Sequence, residues 1–163
     1  MGGAIISSSE FKFKRFSTRL DIVTAFEVSC SSRLKKIDYP NIQFFEGSYT
    51  KTEAITECSN RGGYVMFWKN EAEFNYHHLL RKSRYPYTQE HWRQKEWLGY
   101  TKSGSSWISP DGSSDFFLNW ASGQPSGGEG CSEAYNVDSK TQMNDLPCGS
   151  YYKRSFSCRI PST

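Results

Sequence analysis

The chain has 163 residues, of which 16% are aromatic, and its formal net charge is +3. This length suits one core domain with an extension, and the absence of long Leu, Ala, Glu and Lys runs excludes a simple helical bundle. The positive charge is spread along the chain, and its densest clusters, at residues 12–15, 33–36 and 81–84, have no stacking or zinc motif beside them. We therefore expect no nucleic-acid partner, and we expect no membrane span.

Five cysteines are present, and none of them forms a Cys-x-x-Cys pair. This pattern does not favour zinc or thioredoxin chemistry, and it favours a disulfide framework in an oxidising compartment. We therefore expect a secreted or extracellular protein. No signal peptide is visible, so the chain is expected to be a mature form or a fragment of a longer protein.

The first 38 residues are expected to form an N-terminal extension to a domain at residues 39–163. Alternating apolar and polar residues predict two strands between residues 10 and 30, joined near residue 18. An isolated hairpin is only marginally stable in water, so it needs a covering surface. Packing on the domain and a role in assembly both remain open.

Two helices are expected next, after a short strand at residues 42–45. Thr50 and Glu53 form a capping-box pattern, and Gly62-Gly63 ends the first helix. A buried strand at residues 64–68 leads to a second cap pattern at Asn70 and a helix over residues 71–82. The residues expected to be buried are Ala54, Ile55 and Cys58 in the first helix and Ala72, Tyr76, Leu79 and Leu80 in the second.

His77 and His78 lie on adjacent helix faces, so they cannot jointly bind one metal ion as an i, i+4 pair would. Surface or half-buried histidines are expected instead. The aromatic residues of Tyr85-Pro86-Tyr87 and Trp92 are expected to be loop and packing residues.

Short strands separated by turn residues follow from residue 95 onward. Strands are expected at residues 97–101, 107–108, 116–119, 131–137, around Met143, and at 155–160, with a turn at Pro110-Asp111-Gly112. Two helices before a run of antiparallel strands predict an α+β fold.

Oxygen-bearing side chains cluster between residues 124 and 145. Carboxylate, amide and hydroxyl oxygens are the ligands that Ca²⁺ prefers, and two carboxylates would balance its charge. The segment 121–130 holds four glycines, so we expect it to need a ligand or a disulfide to become ordered. The alternative is that these polar residues only solvate a loop. The candidate calcium ligands are Gln124, Ser126, Glu129, Asn144 and Asp145.

These motifs resemble the ligand motifs of C-type lectin domains: Gln124-Pro125-Ser126, Glu129 before Cys131, and Asn144-Asp145 before Cys148. Trp97-Leu98-Gly99-Tyr100 is similar to the core strand of that family, and the resemblance spans about residues 39–160. It implies a two-helix fold with antiparallel sheets, and a long loop whose calcium ion and five ligand residues also bind the sugar directly. It further implies a cis peptide before Pro125.

Two disulfides follow from the same resemblance, Cys58–Cys158 and Cys131–Cys148. Cys30 is then left over, and it is a candidate for a bridge to another chain.

The chain also departs from the family pattern. Ser126 stands where Asn or Asp is usual, and Met143 stands where Trp is usual. Gly127 and Gly130 stand where a second calcium site would need acidic residues, so we expect one calcium ion at most. A Gln at position 124 resembles the galactose-type members and predicts galactose or N-acetylgalactosamine as the ligand.

The leading function is therefore a calcium-dependent carbohydrate-binding module. The alternative is a lectin-like domain with weak or no sugar binding that acts in protein assembly. An enzyme is least expected, because no nucleophile and base arrangement and no pair of carboxylates on rigid elements is visible.

Overall fold

The computed structural model describes residues 39–84, 95–137 and 140–161, all of which belong to one compact unit. It contains two helices and seven strands in this part of the chain. They are β1 (Asn41–Tyr49), α1 (Lys51–Asn60), β2 (Tyr64–Val65), α2 (Glu71–Arg84), β3 (Glu96–Ser103), β4 (Ser106–Ile108), β5 (Cys131–Val137), β6 (Lys140–Leu146) and β7 (Arg154–Ile160). The expected α+β class is confirmed.

The strands form one sheet in the order β1-β7-β3-β5-β6, with β2 also paired to β7 and β4 to β3. The pair β3 and β7 is parallel, whereas the other pairs are antiparallel. The sheet is thus antiparallel as expected except for this one parallel pair. The cause is that the last strand inserts between the first strand and β3 instead of pairing with its neighbour in sequence.

The expected cap opens α1. The Thr50 side chain accepts a hydrogen bond from the Glu53 backbone N–H, and the Glu53 carboxylate accepts from the Thr50 backbone in return. Gly62 ends the turn after the helix with φ +70°, in the left-handed region that glycine adopts without strain. Ala54 and Cys58 are buried as expected, but Ile55 is 49% exposed, so its assignment to the core is wrong.

The buried face of α2 differs from the expected one. Asn70 caps it by accepting from the Glu73 backbone N–H, as expected. None of Ala72, Tyr76, Leu79 and Leu80 is fully buried, and Leu79 is 63% exposed. The buried residues are the polar Glu73, His77 and Arg81. The expectation that both histidines are at most half-buried holds for His78 and is wrong for His77.

Two other strand assignments differ from the expected ones. Only Tyr64–Val65 of the expected strand at 64–68 pairs with β7, although the next three residues are also buried. Residues 116–119 form no strand, because their backbone bonds alternate between Trp68 and β6 instead of following one partner. Strand β1 runs to Tyr49, beyond the expected end, after a bulge.

Both disulfides implied by the resemblance are present, Cys58–Cys158 and Cys131–Cys148. The first joins α1 to β7 in the core beneath Trp97, and the second joins the start of β5 to the turn after β6. Gly99 permits a close approach of β3 to β2, because a Cβ there would lie 2.5 Å from the Val65 carbonyl oxygen.

Several sequence predictions lie outside the described residues. They concern the N-terminal hairpin, the division of the chain at residue 38, Cys30, Tyr85-Pro86-Tyr87 and Trp92. Within the described ranges, neither helix is long and apolar enough to cross a membrane.

Lys51 is an unexpected member of the core, at 3% exposure. Its Nζ donates to the Leu98 carbonyl oxygen and lies 5.8 Å from the centre of the Trp97 ring. Burial lowers the pKa of Lys51 to about 7, because the charged ammonium loses its hydration. In the unfolded chain the same group keeps its usual value near 10.5.

This difference predicts a pH-dependent stability. Between about pH 7 and pH 10.5 the unfolded chain binds more protons at this position than the folded chain, so the free energy of unfolding should rise with pH there. Lys51→Met should flatten that rise, as measured by urea unfolding at several pH values. Lys153→Met, which changes an exposed lysine, should keep the wild-type slope. Equal slopes for wild type and Lys51→Met would contradict this account.

A buried ion pair anchors α2 to β3. Arg81 Nε lies 2.7 Å from Glu96 Oε2, and both side chains are almost fully buried. Burial opposes ionisation of Glu96, but His77 and Arg81 together hold its pKa lowered to about 2. Burial also lowers the pKa of His77, so Arg81 is the cation that balances Glu96 near neutral pH.

Glu96→Gln should therefore destabilise the fold strongly, because it leaves the buried Arg81 charge without its counter-charge. We expect a loss of about 3–5 kcal/mol in the free energy of unfolding at pH 7. The matched control Glu57→Gln removes an exposed pair with Arg61 and should cost under about 1 kcal/mol. If the two variants lose similar stability, the buried pair does not anchor the helix.

Candidate functional site

The segment 121–130 and the end of β6 bring the predicted site residues to one region of the domain. The Gln124–Pro125 peptide bond is cis, as the resemblance implies. The Cys131–Cys148 disulfide closes the base of this region, and Gly130 lies close to the Cys148 sulfur.

Asp145 holds the segment in place through its carboxylate, which is 1% exposed. Its Oδ1 accepts from the Ser126 backbone N–H at 2.8 Å and from the Ser126 hydroxyl at 3.2 Å. Its Oδ2 accepts from the Gly127 N–H at 3.3 Å. A carboxylate has about four lone-pair positions, so roughly one position on Oδ2 is still open for a further ligand.

Lys102 of β3 holds the same segment from the other side. Its Nζ donates to the Gly127 carbonyl oxygen at 2.9 Å, and its backbone N–H donates to the Gly130 carbonyl oxygen at 2.9 Å. Protein groups therefore supply much of the order that the sequence assigned to a ligand or a disulfide. Sequence reasoning missed Lys102, because it lies 25 positions before Gly127, which it contacts.

Asn144 contacts a different group from its neighbour Asp145. Its Nδ2 donates to Glu133 Oε1 at 3.2 Å, and the two residues are directly opposite in the β5–β6 pair. Glu133 is itself buried and forms ion pairs with Arg154 and Lys95. The amide oxygen of Asn144 is the part of this side chain suited to a cation. The register of the β5–β6 pair is the signal that could have placed Glu133 beside Asn144.

Glu129 has the least engaged carboxylate of the set. It accepts no hydrogen bond from any other residue in the described ranges. Partial desolvation raises its pKa, and the negative charges of Asp145 and Glu133 raise it further. Negative charge thus accumulates here, and a bound cation would relieve it.

Gln124 provides the clearest sign of an unfilled interaction. Its Oε1 is buried and has no hydrogen-bond donor among the described residues. Leaving a buried acceptor unpaired costs about 1–3 kcal/mol, so the position favours a ligand that supplies a donor or a positive charge.

The five candidate side chains carry the oxygen atoms that a hard cation binds, but direct contacts do not join all five of them. Ser126 bonds to Asp145, and the charge of Asp145 acts on Glu129. Hydrogen bonds join neither Gln124 nor Asn144 side chains to those three within the described structure. No group of three or more His, Cys, Asp or Glu side chains in these ranges could hold a metal ion by itself. Any calcium ion here would therefore need the amide and hydroxyl oxygens as well.

The sequence is similar to "C-type lectin 37Db" of Drosophila melanogaster. The two chains are 31% identical over 115 residues, which cover 66% of this chain and 69% of the relative. No protein-family model matches the chain.

Solved structures share the fold at lower sequence identity. Human lithostathine aligns with a TM-score of 0.64 and 21% identity, covering 83% of this chain and 99% of its own. The carbohydrate-recognition domain of cow CD23, solved in the presence of a GlcNAc2Man3 oligosaccharide, aligns with a TM-score of 0.56 and 23% identity. That alignment covers 75% of this chain and 88% of the CD23 domain.

Proposed function

Because this chain belongs to the family of C-type lectin-like domains, which are non-enzymatic binding modules, we propose that it binds carbohydrate in a calcium-dependent manner. The unpaired, buried Gln124 Oε1 is the observation that carries the proposal. It is the first oxygen of the motif, and a cation or a sugar hydroxyl would complete it. The two disulfides suit an extracellular location, which we propose as well.

The calcium ion would be held by the side-chain oxygens of Gln124, Ser126, Glu129, Asn144 and Asp145. When bound, it would supply open coordination positions for two neighbouring sugar hydroxyls. The protein itself contributes the positioning, because Asp145 and Lys102 fix the backbone of Ser126 and Gly127 before any ligand arrives. A site that is ordered in advance loses less entropy on binding.

One observation favours the alternative function, a lectin-like domain without strong sugar binding. Three of the four lone-pair positions of Asp145 already accept hydrogen bonds from the segment 121–130. In that case Asp145 would act only as a structural clamp. Association through residues 1–38 and Cys30 would then be the main role, and it remains a proposal.

Calcium binding predicts a specific loss in Glu129→Gln. This change removes one of two formal charges but breaks no hydrogen bond of the segment, so calcium affinity should fall about tenfold or more while the fold stays intact. Isothermal titration of calcium measures the affinity. Asp115→Asn is the control, because it removes an exposed carboxylate outside the set.

The same titration at lower pH should show weaker binding, since calcium and protons compete for Glu129. Its raised pKa makes this loss begin at a higher pH than for an ordinary glutamate.

Glycan binding should disappear in EDTA and return with calcium. Wild-type protein that binds glycans equally well in EDTA would overturn the calcium requirement.

The proposed sugar is of the galactose type, galactose or N-acetylgalactosamine. Gln124 carries an NH₂ donor as well as its oxygen, whereas a glutamate at this position only accepts. The amide can therefore donate to a sugar hydroxyl whose own hydrogen points elsewhere. Ser126 favours neither sugar type, since a hydroxyl both donates and accepts.

Inhibition of binding to immobilised glycans tests this preference. In calcium, galactose or N-acetylgalactosamine should inhibit at lower concentration than mannose. The double variant Gln124→Glu with Ser126→Asn should shift the preference toward mannose, because it replaces the amide donor at position 124 by an acceptor and places an amide donor at position 126. Mannose as the better inhibitor of wild type would refute the galactose assignment, and no inhibition by either sugar would favour the assembly role.

A further inference from the structure

A pocket with both polar and apolar lining lies between α2 and β6, away from the residues assigned to calcium. Its volume is about 230 Å³, and none of its described lining residues is a carboxylate. We name it the α2–β6 pocket. Its lining residues are Phe74, Asn75, His78, Asn119, Lys140 and Thr141.

Hydrogen bonds at the base of the pocket join its polar atoms. The Thr141 hydroxyl accepts from Arg81, and it lies within hydrogen-bond distance of both Asn136 Oδ1 and His78 Nδ1. The tautomer of His78 decides whether its Nδ1 donates to this hydroxyl or accepts from it. In either neutral tautomer the ring of His78 carries one donor and one acceptor.

The other side chains provide both donors and acceptors. Asn119 Nδ2 donates to the Thr141 carbonyl oxygen, which leaves its amide oxygen as an acceptor. Asn75 is exposed and offers both groups of its amide, and Lys140 is an exposed ammonium donor. Sugar hydroxyls each donate once and also accept, so this mixture suits a saccharide better than it suits a simple anion.

Phe74 gives the pocket an apolar wall. Its ring stacks against His78 at a centroid distance of 6.2 Å and packs on Phe117 and Trp68 behind it. Because neighbouring rings hold it on these sides, the ring is a fixed surface for the C–H face of a sugar.

Among the described lining residues of the pocket, the one formal charge is the positive charge of Lys140. The charges of Arg81 and Lys82 act on His78 from the same helix. Glu96, the carboxylate that faces Arg81, is buried beneath the helix and does not line the pocket. A ligand with a negative group is therefore favoured over a neutral one.

We propose that the α2–β6 pocket is a second saccharide site, which takes a sugar bearing a carboxylate such as a uronic acid. Phe74 would face the ring of the sugar, Asn75, His78 and Asn119 would bond its hydroxyls, and Lys140 would bind its carboxylate. This inference rests on the proposed function, because it assigns an acidic unit to the glycan that the calcium site also binds. It needs no metal ion.

The position of the pocket supports that link. Thr141, Met143 and Asp145 alternate with more exposed residues and share the buried face of β6. Asp145 lies four positions after Thr141, which corresponds to about 13 Å along the strand. Thr141 at the pocket and Asp145 at the proposed calcium site therefore lie on the same face of one strand.

Titration with sodium glucuronate in EDTA, followed by amide NMR shifts, tests the proposal separately from the calcium site. Saturable shifts are expected at the amides of Asn75, His78 and Thr141, with weaker binding of glucose. Lys140→Gln should lower the glucuronate affinity about five- to tenfold and leave glucose unchanged, because a charge-assisted bond is lost. Lys153→Gln should match wild type.

Asn75→Leu is a second change at the rim of the pocket, with a side chain of similar size. It should weaken the binding of both glucuronate and glucose. Absence of saturable shifts at these amides, or equal shifts with sodium acetate, would overturn the saccharide site. Calcium-dependent galactose binding measured on the same protein reports on the proposed function. If galactose binding is not observed, the glucuronate result can still be interpreted, since that measurement is made without calcium.

Discussion

The placement of β7 is the constraint on which the rest of the domain depends. This last strand lies between β1 and β3, pairs with β2 as well, and carries Cys158, which is bonded to Cys58 in α1. The disulfide closes a loop with a sequence separation of 100, which contributes roughly 4–5 kcal/mol in the chain-entropy model. Because the ends of the domain meet here, the site segment and α2 are attached to a closed, cross-linked sheet.

Asp145 links this framework to the proposed calcium site. Its hydrogen bonds determine how far anchoring of the segment 121–130 competes with binding of a cation. A cation that uses only the open position on Oδ2 would leave the bonds from Ser126 and Gly127 in place. A cation that uses both oxygens would have to displace the Ser126 hydroxyl. The first arrangement would keep all hydrogen bonds between Asp145 and the segment 121–130, whereas the second would lose the one from the Ser126 hydroxyl.

The sequence predicted the elements whose signals are local. The Thr50 cap, the turn at Pro110-Asp111-Gly112 and most strands depend on neighbouring residues, and the structure contains them. The buried face of α2 could not be predicted this way. His77 and Arg81 are buried because Glu96 and Ser157, from distant strands, contact them, and no helical period of apolar residues marks such a face.

The candidate site shows the same limit. The order of Gln124, Glu129 and Asp145 relative to the cysteines indicated the candidate site, because the spacing of a motif can be read directly from the sequence. Lys102 and Glu133 were missed, since their roles depend on the pairing of β3 with β5 and of β5 with β6. Residues 116–119 were assigned to a strand as a short segment beyond turn residues, but such a segment does not by itself supply a partner strand.

Strand β6 connects the α2–β6 pocket to the proposed calcium site, so weak glycan contacts at these two places could act together. Met143, between the pocket and Asp145, accepts from the Ala121 N–H and donates to the Asn119 carbonyl, so the chain entering the site segment is fixed to β6. Asn119 lines the α2–β6 pocket, and Gln124 follows five residues later. A glycan that contacts both places binds its second unit at a high effective concentration, because the first contact has already brought it near. The rigidity of β6 sets the required spacing, and this spacing would select among glycans of the same composition.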